Sequence, residues 1–127
     1  MRGRDPAAGE RGAAAAQAVL VLPATLLLFL GLVQGALLLH AGNVAQTAAQ
    51  AAYEAARLAD GDEAAGQRAA ERTVAAAGDA LQAVSVSVQR RGGVIRVTVA
   101  GTASGLLPGA PVDVVRRVEG PAERWEG

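Results

Sequence analysis

The chain has 127 residues and a mass of 12.7 kDa; 51% of its residues are apolar but only 2% aromatic, and twelve arginines, with no lysine, balance twelve acidic residues. This length allows one small domain, and the absence of cysteine excludes a disulfide framework, a thiolate metal site and a cysteine nucleophile. Zero net charge removes any general attraction to nucleic acid, while 31 alanines supply little area for a core, so the body needs support from a partner, an oligomer or a membrane.

The N-terminus is basic, with Arg2, Arg4 and Arg11, and from Gly12 to Tyr53 the only side chain that can carry a charge is His40. The densest apolar run, Val19 to Leu39, reads VLVLPATLLLFLGLVQGALLL. As a helix its 21 residues span about 31 Å, the thickness of a bilayer's hydrocarbon core. The first arginine beyond it is Arg57, so the positive-inside rule predicts a cytoplasmic N-terminus, one crossing of the cell membrane and an exported remainder. The rival reading is a secretory signal peptide, whose apolar centre runs only about 7 to 15 residues. This run is longer, and small residues fit a cut after Gly35 or Ala41 poorly, because Val33 or Leu39 would fall in a recognition position.

Three features stand inside the span. Pro23 removes one helical hydrogen bond and predicts a kink. Gly31 and Gly35 make a GxxxG pair beside Gln34, which allows close approach of a second helix and an amide hydrogen bond in lipid. His40 falls at the outer boundary as an interfacial side chain.

Past the membrane, Val44, Ala48, Ala51, Ala55 and Leu58 recur at helical spacing and predict that the helix continues outward; unbroken from Ala13 to Leu58 it would be about 69 Å long, with Gly42 and Asn43 its weakest link. Asp60-Gly61-Asp62 marks a turn, with Asp62 the N-cap of a second, amphipathic helix from Glu63 to about Gly78 that presents Ala70, Val74, Ala77 and Leu81 on one face. From Val84 the period becomes two. If Gly92-Gly93 forms a primed turn, Val88 faces Val97, Val86 faces Val99 and Ser87 faces Thr98. Residues 103–111 read as a loop, Val112 to Val118 as a third strand, and residues 120–127, with Trp125, as a disordered tail. The elements define an α+β chain.

Catalysis finds no support in these residues: the one imidazole lies beside the membrane, and Ser85, Ser87 and Ser104 lack a base. Asp60, Asp62 and Glu63 lack the spacing of a calcium loop, and Arg90-Arg91 is too brief for a nucleic-acid patch. The sequence therefore predicts no catalytic, metal or cofactor site, no nucleic-acid partner and no small-molecule substrate.

Three blocks carry a family resemblance. The first is Arg11-Gly12-Ala13-Ala14-Ala15-Ala16-Gln17-Ala18-Val19-Leu20-Val21-Leu22-Pro23, the second Gly31-Leu32-Val33-Gln34-Gly35, and the third Ala51-Ala52-Tyr53-Glu54-Ala55-Ala56-Arg57. In this order and spacing they resemble the TadE-like family of pilus-assembly proteins, pilin-related minor subunits of tight-adherence (Flp-type) secretion systems. The resemblance implies a pilin-like α+β fold, removal of a leader between Gly12 and Ala13 by a prepilin peptidase, and association with other pilin-like subunits in the membrane. Small side chains at Gly12 through Ala16 suit entry of an extended backbone into a peptidase cleft. It also implies four regions: a cytoplasmic leader over 1–12, a transmembrane helix with its outer extension over 13–59, an exported helix with a three-stranded sheet over 60–119, and the tail.

The sequence departs from the family at two positions. Gln17 stands where the family carries the glutamate thought to pair with a neighbour's N-terminal ammonium, and Gln34 replaces a second glutamate. An amide accepts a hydrogen bond but neutralises no charge, and an unpaired charge in the membrane costs at least about 2.5 kcal/mol. The sequence thus points to a minor or initiating subunit rather than a polymerising one, with an anchored exported protein lacking any filament role as the alternative.

Overall fold

The computed structural model describes residues 6–58, 61–103 and 111–122. The elements follow in the order α1 (Pro6–Arg57), α2 (Glu63–Ala76), a 3-10 turn (Gly78–Ala80), β1 (Leu81–Arg91), β2 (Val94–Ala103) and β3 (Val112–Pro121), an α+β arrangement. Arg2, Arg4, Asp60, Ser104, the rest of the loop over 104–110 and the tail from 123, with Trp125, lie outside the described residues. The chain divides into two compact units, Met1–Gln34 and Gly35–Gly127.

In the first unit every side chain described from Gly9 to Leu32 is exposed. Leu20 is 73% and Leu27 69% exposed. Burying one leucine from water is worth about 1.5–3 kcal/mol, so a row of them facing outward needs an apolar surrounding. The helix is long and apolar enough to cross a membrane. It is helical through Pro23 without interruption.

The second unit has a thin core set by β2, whose Ile95, Val97 and Val99 are the largest fully buried side chains. Period-two alternation turns these residues toward the helices and Arg96, Thr98 and Thr102 away. β1, β2 and β3 form one antiparallel sheet in that order. The hairpin register pairs Val88 with Val97, Val86 with Val99 and Ser87 with Thr98, as the sequence predicts. Gly92 and Gly93 make the turn at φ of 59° and 78°, the left-handed region that a primed turn requires.

α1 brings alanine to this sheet. Ala41, Ala45, Ala48, Ala49, Ala52 and Ala56 are fully buried, with Val44 beside them. The expected stripe is therefore rotated: Val44 and Ala48 belong to it, but Ala51 and Ala55 are only half-buried, and Leu58 is exposed. Alanines stand all round this part of the helix, so its apolar period leaves the buried face undetermined. The helix does not break at Gly42 and Asn43.

α2 opens where expected, with Asp62 Oδ1 accepting the Ala65 N–H at 2.7 Å, a side-chain N-cap. It packs close at Gly66, where an added Cβ would lie 3.0 Å from the Ala52 carbonyl oxygen and 3.2 Å from the Ala56 Cβ. It ends at Ala76, short of the expected Gly78, so Ala77 caps it and Leu81 belongs to β1. Gly78 leaves the helix at φ 70°.

Two further differences concern the strands. β1 starts at Leu81 instead of Val84 and carries a bulge, in which Ala83 and Val84 together face Gly101, with Ala83 at φ 51°. β3 continues past Val118, because Gly120 pairs with Ile95, Pro121 pairs with Val94, and the Ala122 N–H donates to the Gly93 carbonyl. Residues 120 and 121 are thus strand rather than tail.

Candidate functional site: the apolar helix and its outer clasp

The residues singled out by sequence all lie on α1. Gly12 and Ala13 are helical, the helix having opened on Pro6, whose fixed φ suits a first-turn position. A peptidase that reads an extended strand must first unwind this segment. Gly9 and Gly12 assist, each costing a helix about 1 kcal/mol relative to alanine, and an added Cβ at either would touch nothing within 4 Å.

Gln17 is exposed. Gly31 lies fourteen residues on, close to four whole turns, so the two share one side of the helix to within about 40°. Gly31 and Gly35 stand one turn apart, and a Cβ added at either meets nothing within 4 Å, which leaves the backbone open to another helix. Gln34 is half-buried and sits about 60° round from Gly31, while Pro23 points to a different side from Gln17, about 120° away. The structure thus aligns Gln17 with Gly31 and leaves Pro23 off that line.

The third sequence block has a role that sequence alone does not reveal. Ala52 and Ala56 form the seat for Gly66 of α2. The Tyr53 hydroxyl donates to the Pro121 carbonyl at 2.8 Å, and its ring lies against Gly120, where a Cβ would come within 2.5 Å of the hydroxyl oxygen. Arg90 reaches from β1 and donates through Nη1 to the Ala56 carbonyl at 3.3 Å and the Gly61 carbonyl at 2.7 Å, which satisfies the C-terminal end of α1 with a cation. The Glu63 carboxylate in turn accepts the Arg90 backbone N–H at 3.1 Å. Arg90 is thus a clasp joining the end of α1, the turn at Gly61 and the sheet.

The outer face of the sheet holds a shallow depression lined by Gln89, Arg91, Val94, Arg96 and Glu119, across which Arg96 and Glu119 pair at 3.3 Å. Both partners are more than half exposed, so the pair adds little stability. Among the described residues no group of His, Asp or Glu is placed to hold a metal ion.

The helix is long and apolar enough to cross a membrane, and the clasp belongs to a small α+β body. A family model, TadE-like protein, matches residues 12–57. The match begins at the glycine before the expected cleavage and ends where α1 ends. It covers nearly all of the three blocks, so over these residues the chain is similar to the TadE-like family. No curated protein and no solved structure matches the chain.

Proposed function

We propose that the protein is a pilin-like minor subunit or assembly factor of a tight-adherence pilus system, held in the cell membrane by α1 with its N-terminus in the cytoplasm and its sheet outside. The observation that carries this reading is the family match over residues 12–57 on a helix whose apolar run faces outward. Arg2, Arg4 and Arg11 set the orientation before a prepilin peptidase cuts between Gly12 and Ala13. The small face around Gly31 and Gly35 then meets the helices of other pilin-like subunits, with Gln17 and Gln34 offering amides where the family offers carboxylates. Loss of both charges favours a subunit placed beside a filament's polymerising members or at its start.

N-terminal sequencing of membrane-extracted protein tests the processing step. The chain is expected to begin at Ala13 when a prepilin peptidase is coexpressed and at Met1 when it is absent. A terminus that stays at Met1 in both cases removes the processing claim and favours an anchored exported protein with no filament role; a start beyond Gly35 with no membrane fraction makes the segment a signal peptide.

A further inference from the structure

Antiparallel pairing sets the outward side chains of the sheet in rows, and two rows meet near its centre: Ser87, Thr98 and Arg117 in one, Gln89, Arg96 and Glu119 in the next. These six residues line a second depression of the outer face, beside the one that Arg91 and Val94 border. Five of them are exposed and Thr98 is half-buried. None is apolar.

The polar groups of the two rows are satisfied differently. Arg96 donates through Nε and Nη2 to the two carboxylate oxygens of Glu119, at 3.3 and 3.4 Å, so each cancels the other's charge. Arg117, in contrast, has no hydrogen-bond or ion-pair partner among the described residues, and neither do the Ser87 and Thr98 hydroxyls or the Gln89 amide. Asp113, the other carboxylate that β3 turns to this face, stands four residues from Arg117, about 13 Å along the strand and beyond the screening length of about 8 Å in physiological salt. The depression therefore holds one uncompensated cation beside two hydroxyls and an amide.

These groups select the chemistry of a partner. A protein interface is built round an apolar or aromatic core, and none of the six side chains supplies one. Single-stranded nucleic acid stacks its bases on aromatic rings, and among the described residues no aromatic side chain lines the depression. A guanidinium pairs with a carboxylate, while hydroxyls and an amide exchange hydrogen bonds with other hydroxyls. We infer that the outer face of the sheet binds a carboxylated polysaccharide, with Arg117 on the uronate carboxylate and Ser87, Thr98 and Gln89 on the ring hydroxyls. The inference goes beyond the pilin-like reading, and binding by the purified chain does not depend on that reading.

The test titrates the full chain, held in nanodiscs of uncharged phosphatidylcholine, with polygalacturonate, polyglutamate and dextran. Polygalacturonate should bind, polyglutamate more weakly, and dextran not at all. Arg2, Arg4 and Arg11 attract any polyanion, so the measure is the difference between wild type and variant. Arg117→Gln should lower the affinity for polygalacturonate by up to about fivefold, and Arg72→Gln, on the exposed side of α2, should leave it unchanged. Thr98→Val, a replacement that suits a strand, should weaken polygalacturonate binding and leave polyglutamate binding at the wild-type level. Equal polygalacturonate affinity in wild type and Arg117→Gln overturns the site. Polyglutamate bound as tightly as polygalacturonate, or a Thr98→Val chain that loses nothing, overturns the assignment to a sugar.

Discussion

The two stretches of α1 on either side of residue 40 solve opposite problems with different apolar side chains. From Val19 to Leu39 the helix is rich in leucine, most of it facing outward, whereas from Ala41 to Ala56 the buried positions are nearly all alanine. Leucine supplies transfer energy where the surrounding medium is itself apolar. Alanine supplies little, but it lets a sheet and a second helix come close, as they do at Gly66 and at Gly42. Mean apolarity is therefore a poor guide to burial in this chain: the more hydrophobic half of the helix is the more exposed one.

The largest expected effect separates the halves. Changing Leu27 and Leu28 together to arginine adds about 5–7 kcal/mol to the cost of insertion, and should move the protein out of the membrane fraction while leaving the amide exchange protection of β2 unchanged. Ile95→Ala should do the reverse. Its loss of about 3 kcal/mol, read by chemical denaturation in detergent, should unfold the body at lower denaturant and leave membrane retention intact. If either variant alters both readouts, the halves are coupled more tightly than their packing implies.

Smaller changes sharpen the picture at single residues. Gln17→Glu should strengthen crosslinking to coexpressed pilin-like subunits by about 1–2 kcal/mol, roughly 5- to 30-fold, by restoring a carboxylate that can pair with a neighbour's ammonium inside the membrane; no gain places Gln17 away from that ammonium. The smallest effect is at the β1 bulge, where Ala83 pays for φ 51°. Ala83→Gly should relieve that strain and raise the stability of the body by about 0.5 kcal/mol in thermal melts, after the entropic cost of glycine is deducted.

Features fixed by local chemistry were legible in the sequence. The Asp62 cap, the Gly92-Gly93 turn and the hairpin register each follow from a few adjacent residues. Features that depend on distant partners were not. The buried face of α1 is set by where the sheet lies, since alanine on every side gives no preference. The bulge at Ala83 lets Leu81 reach over Gly101, where a Cβ would come within 2.8 Å of it. β3 runs on to Pro121 because Tyr53, 68 residues away in sequence, holds its end. Arg90 reads as part of a short basic pair, and its use as a clasp appears only once the end of α1 is placed beside β1. Of the candidate site, the sequence gives up its residues and the glycine spacing; the alignment of Gln17 with Gly31 and the docking role of the third block need the helix to be continuous and the body to be folded.

The most direct test of a single crossing with the sheet outside is protease treatment of intact spheroplasts carrying the full chain with an epitope fused after Gly127. The account predicts that the epitope is lost to externally added protease while a cytoplasmic marker survives. An epitope that stays intact until the membrane is lysed, or a protein recovered in the soluble cell extract, would contradict it.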